Sequence, residues 1–155
     1  MYKRQLYEYE KDQYTLFLYS GGVLEAIKEI EILEKAQPKN SRFKIETVIE
    51  PSTYENFEIF LSDQRSVFTD NVRFKLNQAD QKINIELYIP ELELIEEDMS
   101  GQLRTRLKHF IVRLIGESVF GSSISDINFY PLPSDLGGAY SLSELNSKLQ
   151  SDEDY

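Results

Sequence analysis

SGQLRTRLKHFIVRLIGESVFG, running from Ser100 to Gly121, presents the largest apolar face in the chain, and the fold is read from it. Leu103, Leu107, Phe110, Ile111, Leu114 and Ile115 recur at the three- and four-residue steps of one helical face. At 3.6 residues per turn they span an arc of roughly 140°, wide enough to lie across a sheet. Arg106, His109 and Arg113 fall on the opposite side, and Arg104 and Lys108 flank the arc. Ser100 is the expected N-cap, since its hydroxyl can accept from the free amides of the first turn. Gly116 or Gly121 is the expected end, because glycine takes the backbone conformations that close a helix.

Upstream the period changes from 3.6 to two. Ile83, Ile85, Leu87 and Ile89 alternate with Asn84, Glu86 and Tyr88, and Val72, Phe74 and Leu76 alternate with Arg73 and Lys75. Phe57, Ile59 and Leu61 alternate with Glu58 and Phe60; Phe43, Ile45 and Thr47 alternate with Lys44 and Glu46. One apolar and one largely polar face is the pattern of antiparallel hairpins. The segments follow one another too closely for helical crossovers, which argues against a parallel sheet. An acidic bridge from Glu91 to Asp98 joins these strands to the central helix.

Further upstream, Leu6–Glu10 and Tyr14–Tyr19 read as strands joined at Lys11-Asp12-Gln13. Ser20-Gly21-Gly22 opens a second helical pattern through Val23, Ala26, Ile27, Ile30 and Leu33, with Ile32 off that face, and Pro38 forces its end. Downstream, Ile124–Leu132 reads as one more strand. Ser141 and Glu144 then form a capping box ahead of a short helix lined by Leu142, Leu145 and Leu149. The expected architecture is α+β: an antiparallel sheet of four or more strands packed against the long amphipathic helix, plus a shorter N-terminal helix. Residues 1–149 read as a single domain and residues 150–155 as a disordered acidic tail. The sequence shows no internal repeat.

A length of 155 residues with 41% hydrophobic side chains is enough for one domain with a real core. There are no cysteines, which excludes disulfides and thiolate chemistry and fits a cytoplasmic protein. Neither a signal peptide after Met1 nor an apolar run of about 20 residues is present, so no membrane insertion is expected. The 27 acidic and 17 basic residues give a net charge of -10, which repels nucleic acid and favours basic partners.

The chemistry-bearing residues are weak as a set. His109 is the only histidine, and it sits among basic residues in mid-helix rather than beside a carboxylate. Glu91, Glu93, Glu96, Glu97 and Asp98 lack the glycine-punctuated spacing of a calcium loop and read as a solvated run. Gly21-Gly22 at a strand–helix junction resembles an anion-binding loop but lacks the further glycines and lysine of a phosphate loop. Arg104, Arg106, Lys108 and Arg113 read as balancing the local carboxylates. The expectation is therefore no catalytic residue, no metal ligand, no cofactor and no nucleic acid, hence no enzyme.

What remains is aromatic surface. Ten tyrosines and nine phenylalanines exceed the needs of a small core. The strand pattern turns Phe60 and Tyr88 away from their neighbours' apolar face, which makes them the expected partner-binding residues.

From Asn56 to Tyr155 the order of elements resembles the SecB-like export chaperones. It runs through antiparallel strands (Phe57–Ile89), a long amphipathic helix (Ser100–Gly121), a short strand ending in proline (Ile124–Pro131), a short helix (Ser141–Leu149) and the acidic SDEDY tail. That resemblance implies a non-enzymatic holder of unfolded, apolar segments, working as a homo-oligomer; it carries over no particular residue. A dedicated inhibitor, such as a bacterial toxin-immunity or antitoxin-type protein binding one basic partner, is the competing expectation.

Overall fold

In the computed structural model residues 4–10, 13–20, 23–38, 42–47, 49–61 and 65–151 are described. Strands β1 (Arg4–Glu10) and β2 (Gln13–Tyr19) pair antiparallel, helix α1 (Leu24–Ala36) follows, and β3 (Phe43–Thr47) lies parallel to β2. Ala26, Ile27 and Ile30 of α1 are buried, and Ile27 and Ile30 share a small core with Leu18 and Ile49, flanked by Leu16 and Ile45. Ile32, off that face, is 67% exposed, and Val23 and Leu33 at its ends are also exposed. Ahead of Pro38 the chain turns extended at Gln37, whose side-chain oxygen accepts from the Ile45 amide at 2.9 Å and ties the helix end to β3. The Lys11-Asp12 and Gly21-Gly22 junctions lie outside the described residues.

The rest of the chain is built on a second sheet. A short hairpin, β4 (Glu58–Phe60) with β5 (Ser66–Phe68), stands apart from it. Strands β6 (Arg73–Ala79) and β7 (Lys82–Ile89) pair antiparallel across a turn at Asp80, which takes φ 57° as aspartate tolerates. After a short 3₁₀ turn at Leu92–Leu94 come α2 (Glu97–Ile115) and α3 (Glu117–Ser123). Then β8 (Ile124–Pro131) lies parallel to β7, and the two-residue β9 (Tyr140–Ser141) lies beside β6, giving the order β8-β7-β6-β9. A capping box of Ser141 and Glu144 precedes α4 (Leu145–Ser151). This helix includes residues 150 and 151, expected in the tail; residues 152–155 lie outside the described residues.

The fold is thus α+β, with the long helix against the sheet and a shorter helix near the N-terminus. Leu103, Leu107, Ile111, Leu114 and Ile115 of α2 share one core with Phe74, Ile85, Leu87 and Ile89 of the sheet and with Leu142, Leu145 and Leu149 near the C-terminus. Three details depart from the sequence reading. First, the sheets are mixed: β2–β3 and β7–β8 are parallel pairs, because their crossovers run through α1 and through α2 with α3. Second, Phe43–Thr47 joins the N-terminal sheet, and Glu58–Phe60 joins the separate hairpin, instead of extending β6–β7. Third, α2 begins a turn before Ser100. Glu96 is its N-cap, the Ser100 amide donates to the Glu96 carbonyl at 2.8 Å, and Ser100 is buried. Glu97 and Asp98 occupy the first turn, where the free amides favour acidic side chains. Gly116 ends the helix at φ 86°, and its Cα passes so close to Ile49–Pro51 that a Cβ would lie 2.5 Å from the Ile49 carbonyl oxygen.

Candidate functional site

The β4–β5 hairpin places Phe60 by register. Ile59 faces Val67, both buried against the α2 core, so Glu58, Phe60, Ser66 and Phe68 take the other face. Phe60 is 66% exposed, and Phe68, its diagonal neighbour on the same face, is 38% exposed. The hairpin does not float. Arg106 of α2 donates to the Phe60 carbonyl at 2.8 Å, the Leu61 amide to the Arg65 carbonyl at 2.8 Å, and Arg65 to the Leu94 carbonyl at 3.0 Å. Leu94, held there, is itself exposed.

A polar network fixes the base of the hairpin. The buried Thr69 hydroxyl accepts from the Phe57 amide at 2.9 Å, and the Tyr54 hydroxyl lies 3.0 Å from it and donates to Asp70 at 2.6 Å. Burial first, and then the bond to Asp70, raise the Tyr54 hydroxyl above its ordinary pKa. Around this network Tyr54 meets Phe110 of α2 edge-on at 6.0 Å, and Phe57 stacks on the same ring at 6.3 Å. Phe57, which the alternation assigns to the core side, is still 54% exposed, because one ring of α2 covers only part of it.

Tyr88 lies elsewhere. Its strand β7 sends Ile85, Leu87 and Ile89 toward α2, so Tyr88 stands on the opposite face of the sheet, in a row with Arg73 of β6 and Tyr130 of β8. It stacks on Tyr130 at 5.6 Å, its hydroxyl donates to Glu86 at 2.9 Å, and the Lys75 ammonium lies 5.8 Å from its ring centre. Burial, and then the Glu86 bond, raise its pKa. Phe60 and Tyr88 therefore belong to different sheets, each on the face turned from the α2 core.

Phe68 and Tyr130 escape sequence reading. Phe68 ends a three-residue strand, too short to show a period. Tyr130 belongs to a strand whose alternation is blurred by a register shift opposite Ile83 and Asn84. Arg104 of α2 lies over Phe129 at 6.0 Å and Lys108 over Phe120 at 5.9 Å, while Arg106 bonds the Phe60 carbonyl. His109 is exposed on the solvent side of the helix. Among the described residues no three His, Asp or Glu side chains are grouped to hold a metal ion, and no helix is long and apolar enough to cross a membrane. Comparison with protein-family models, with curated proteins and with solved structures found no match.

Proposed function

We propose that the chain is a non-enzymatic protein that binds another polypeptide through the outward face of the β4–β5 hairpin, holding apolar segments as a SecB-like chaperone or adaptor does. The observation that carries this reading is the pair Phe60 and Phe68, exposed side by side on a hairpin that is itself fixed to α2. An aromatic ring on a rigid seat offers large contact area with few torsions left to freeze. The Tyr88–Tyr130 stack is the second candidate surface, flatter and bordered by Arg73, Lys75 and Glu86.

The inhibitor reading is favoured by a different observation. The carboxylates of Glu91, Glu93, Glu96, Glu97 and Asp98 are all exposed, in a chain of net charge -10, and would attract one basic partner. Binding of an unfolded, reduced test polypeptide, measured with Phe60→Ala and Tyr88→Ala, separates the readings. Phe60→Ala should raise the dissociation constant about thirtyfold, the loss of one buried anchor, while salt near 0.5 M mainly slows association. A loss confined to Tyr88→Ala would move the site to the sheet face. Normal binding by both variants, with the complex abolished by salt, would overturn the aromatic reading in favour of the inhibitor.

A further inference from the structure

We infer that Glu117 and Ser20 form a latch that holds the N-terminal unit, β1 to β3 with α1, against the rest of the molecule, and that this unit opens as one body when the latch is undone. Glu117 opens α3 directly after the Gly116 break and is 1% exposed. Its Oε2 accepts from the Ser20 backbone amide at 2.7 Å and from the Ser20 hydroxyl, across 97 positions of sequence. Ser20, also 1% exposed, is the residue that follows β2. A carboxyl group is expensive to bury unless its oxygens are hydrogen-bonded, so a glutamate buried at this point favours the arrangement that supplies those donors.

The neighbouring contacts converge on the same short stretch. The Ser118 amide donates to the Ile49 carbonyl at 3.3 Å, and the Ser52 amide donates to the Leu114 carbonyl at 3.1 Å. Asn146 of α4 reaches both the Ser52 and Leu114 carbonyls, at 3.3 and 3.0 Å. Gly116 lets Ile49–Pro51 pass at a distance no side chain would allow. The segment leaving β3 is therefore seated on residues 113–118 by backbone bonds and the Ser52 hydroxyl, and the segment leaving β2 is bonded by the Glu117 carboxyl group. Among the residues whose side chains are described, Leu18, Ile27, Ile30 and Ile49 form the unit's own buried apolar cluster, separate from the core around α2. Docking adds to that cluster, and the Glu117 side chain is the part of the dock that reaches the segment leaving β2.

Native-state hydrogen exchange on the full chain tests this. In Glu117→Ala the amides of α1, β2 and β3 should exchange roughly ten- to hundredfold faster, the range for losing hydrogen bonds to a carboxylate, while those of β6, β7 and α2 keep their rates. Ser20→Ala should give the same pattern with a smaller factor, because the backbone amide still bonds Glu117. If Glu117→Ala fails to fold, Ser20→Ala decides alone. Acceleration shared equally by both sheets, or unchanged α1 rates in the folded variants, would overturn the latch.

Discussion

An antiparallel hairpin, a helix and a strand laid parallel beside the hairpin's second strand occur twice in this chain: as β1, β2, α1 and β3, and as β6, β7, α2 with α3, and β8. The two copies share a path and little else. The first uses a helix of 13 residues and the second one of 19. Among the residues whose side chains are described, the first copy buries Leu18, Ala26, Ile27, Ile30 and Ile49, whereas α2 lies in a core of twenty. Elements outside the shared path add to the second copy. The β4–β5 hairpin brings Ile59, Leu61 and Val67, and α4 brings Leu145 and Leu149, so that α2 is packed from several sides. Topology sets which strands are neighbours, whereas stability follows the apolar area that the neighbours remove from water.

The largest effect expected from that contrast is in the two cores. Leu107 is fully buried in α2, and Leu107→Ala should cost about 2–5 kcal/mol and lower the single urea midpoint of the whole chain. Ile30 is equally buried in α1, but Ile30→Ala should detach the smaller unit first, giving an early phase ahead of a main transition that barely moves. A single transition shifted as far by Ile30→Ala as by Leu107→Ala would show that the two units share one cooperative core.

A smaller pair of effects belongs to the seam. Gly116→Ala must place a methyl group 2.5 Å from the Ile49 carbonyl oxygen and 2.8 Å from the Pro51 nitrogen, at φ 86°, against backbone that has no rotamer to yield. A loss of at least about 2 kcal/mol is expected. Gly101, in the first turns of α2, has nothing within 4 Å of its absent Cβ, and Gly101→Ala should stabilise by about 0.5–1 kcal/mol. Thermal melts of both variants check the pair; equal shifts would mean that the seam has no special constraint.

How much of this was legible depends on whether the decisive contact is local. The core face of α2 was readable because Leu103, Leu107, Ile111, Leu114 and Ile115 are spaced by the helix itself, and all are buried. Its true start was not. The acidic bridge hides Glu97 and Asp98, whose place in the first turn depends on helix amides and not on apolar spacing. Strand parity put Phe60 and Tyr88 on faces turned from the α2 core, but parity is a property of one strand. It names no neighbour, so it could not place β3 beside β2, separate the β4–β5 hairpin from β6, or show that the two aromatics belong to different sheets. The doubled path is illegible in the sequence for the same reason: it is a repeat of connections between residues that share no sequence pattern. Glu117 carries no signal in the sequence, because its partner Ser20 is 97 positions away.

The smallest effect concerns the outer face of the larger unit and depends on pH. Tyr88 lies half-buried between Tyr130 and Glu86, and its hydroxyl holds its proton to higher pH than the ordinary value of 10. Burial is the first cause: a phenolate would sit where water is partly excluded, beside a carboxylate of its own sign. In the unfolded chain the same hydroxyl titrates near 10. As pH rises past that value the unfolded chain gives up a proton that the native one keeps, so unfolding becomes progressively easier. The contribution is complete below about pH 10 and is lost as pH climbs through the raised folded value. Tyr88→Phe keeps the ring stacked on Tyr130 and removes only the titrating group. At neutral pH the lost bond to Glu86 should cost about 0.5–1.5 kcal/mol. From about pH 9 to 11 the variant should then lose less melting temperature than the parent, so that the two curves converge. Curves that stay parallel across that window would mean that Tyr88 titrates alike in both states, and that the outer sheet face is as wet as the exposed side of α1.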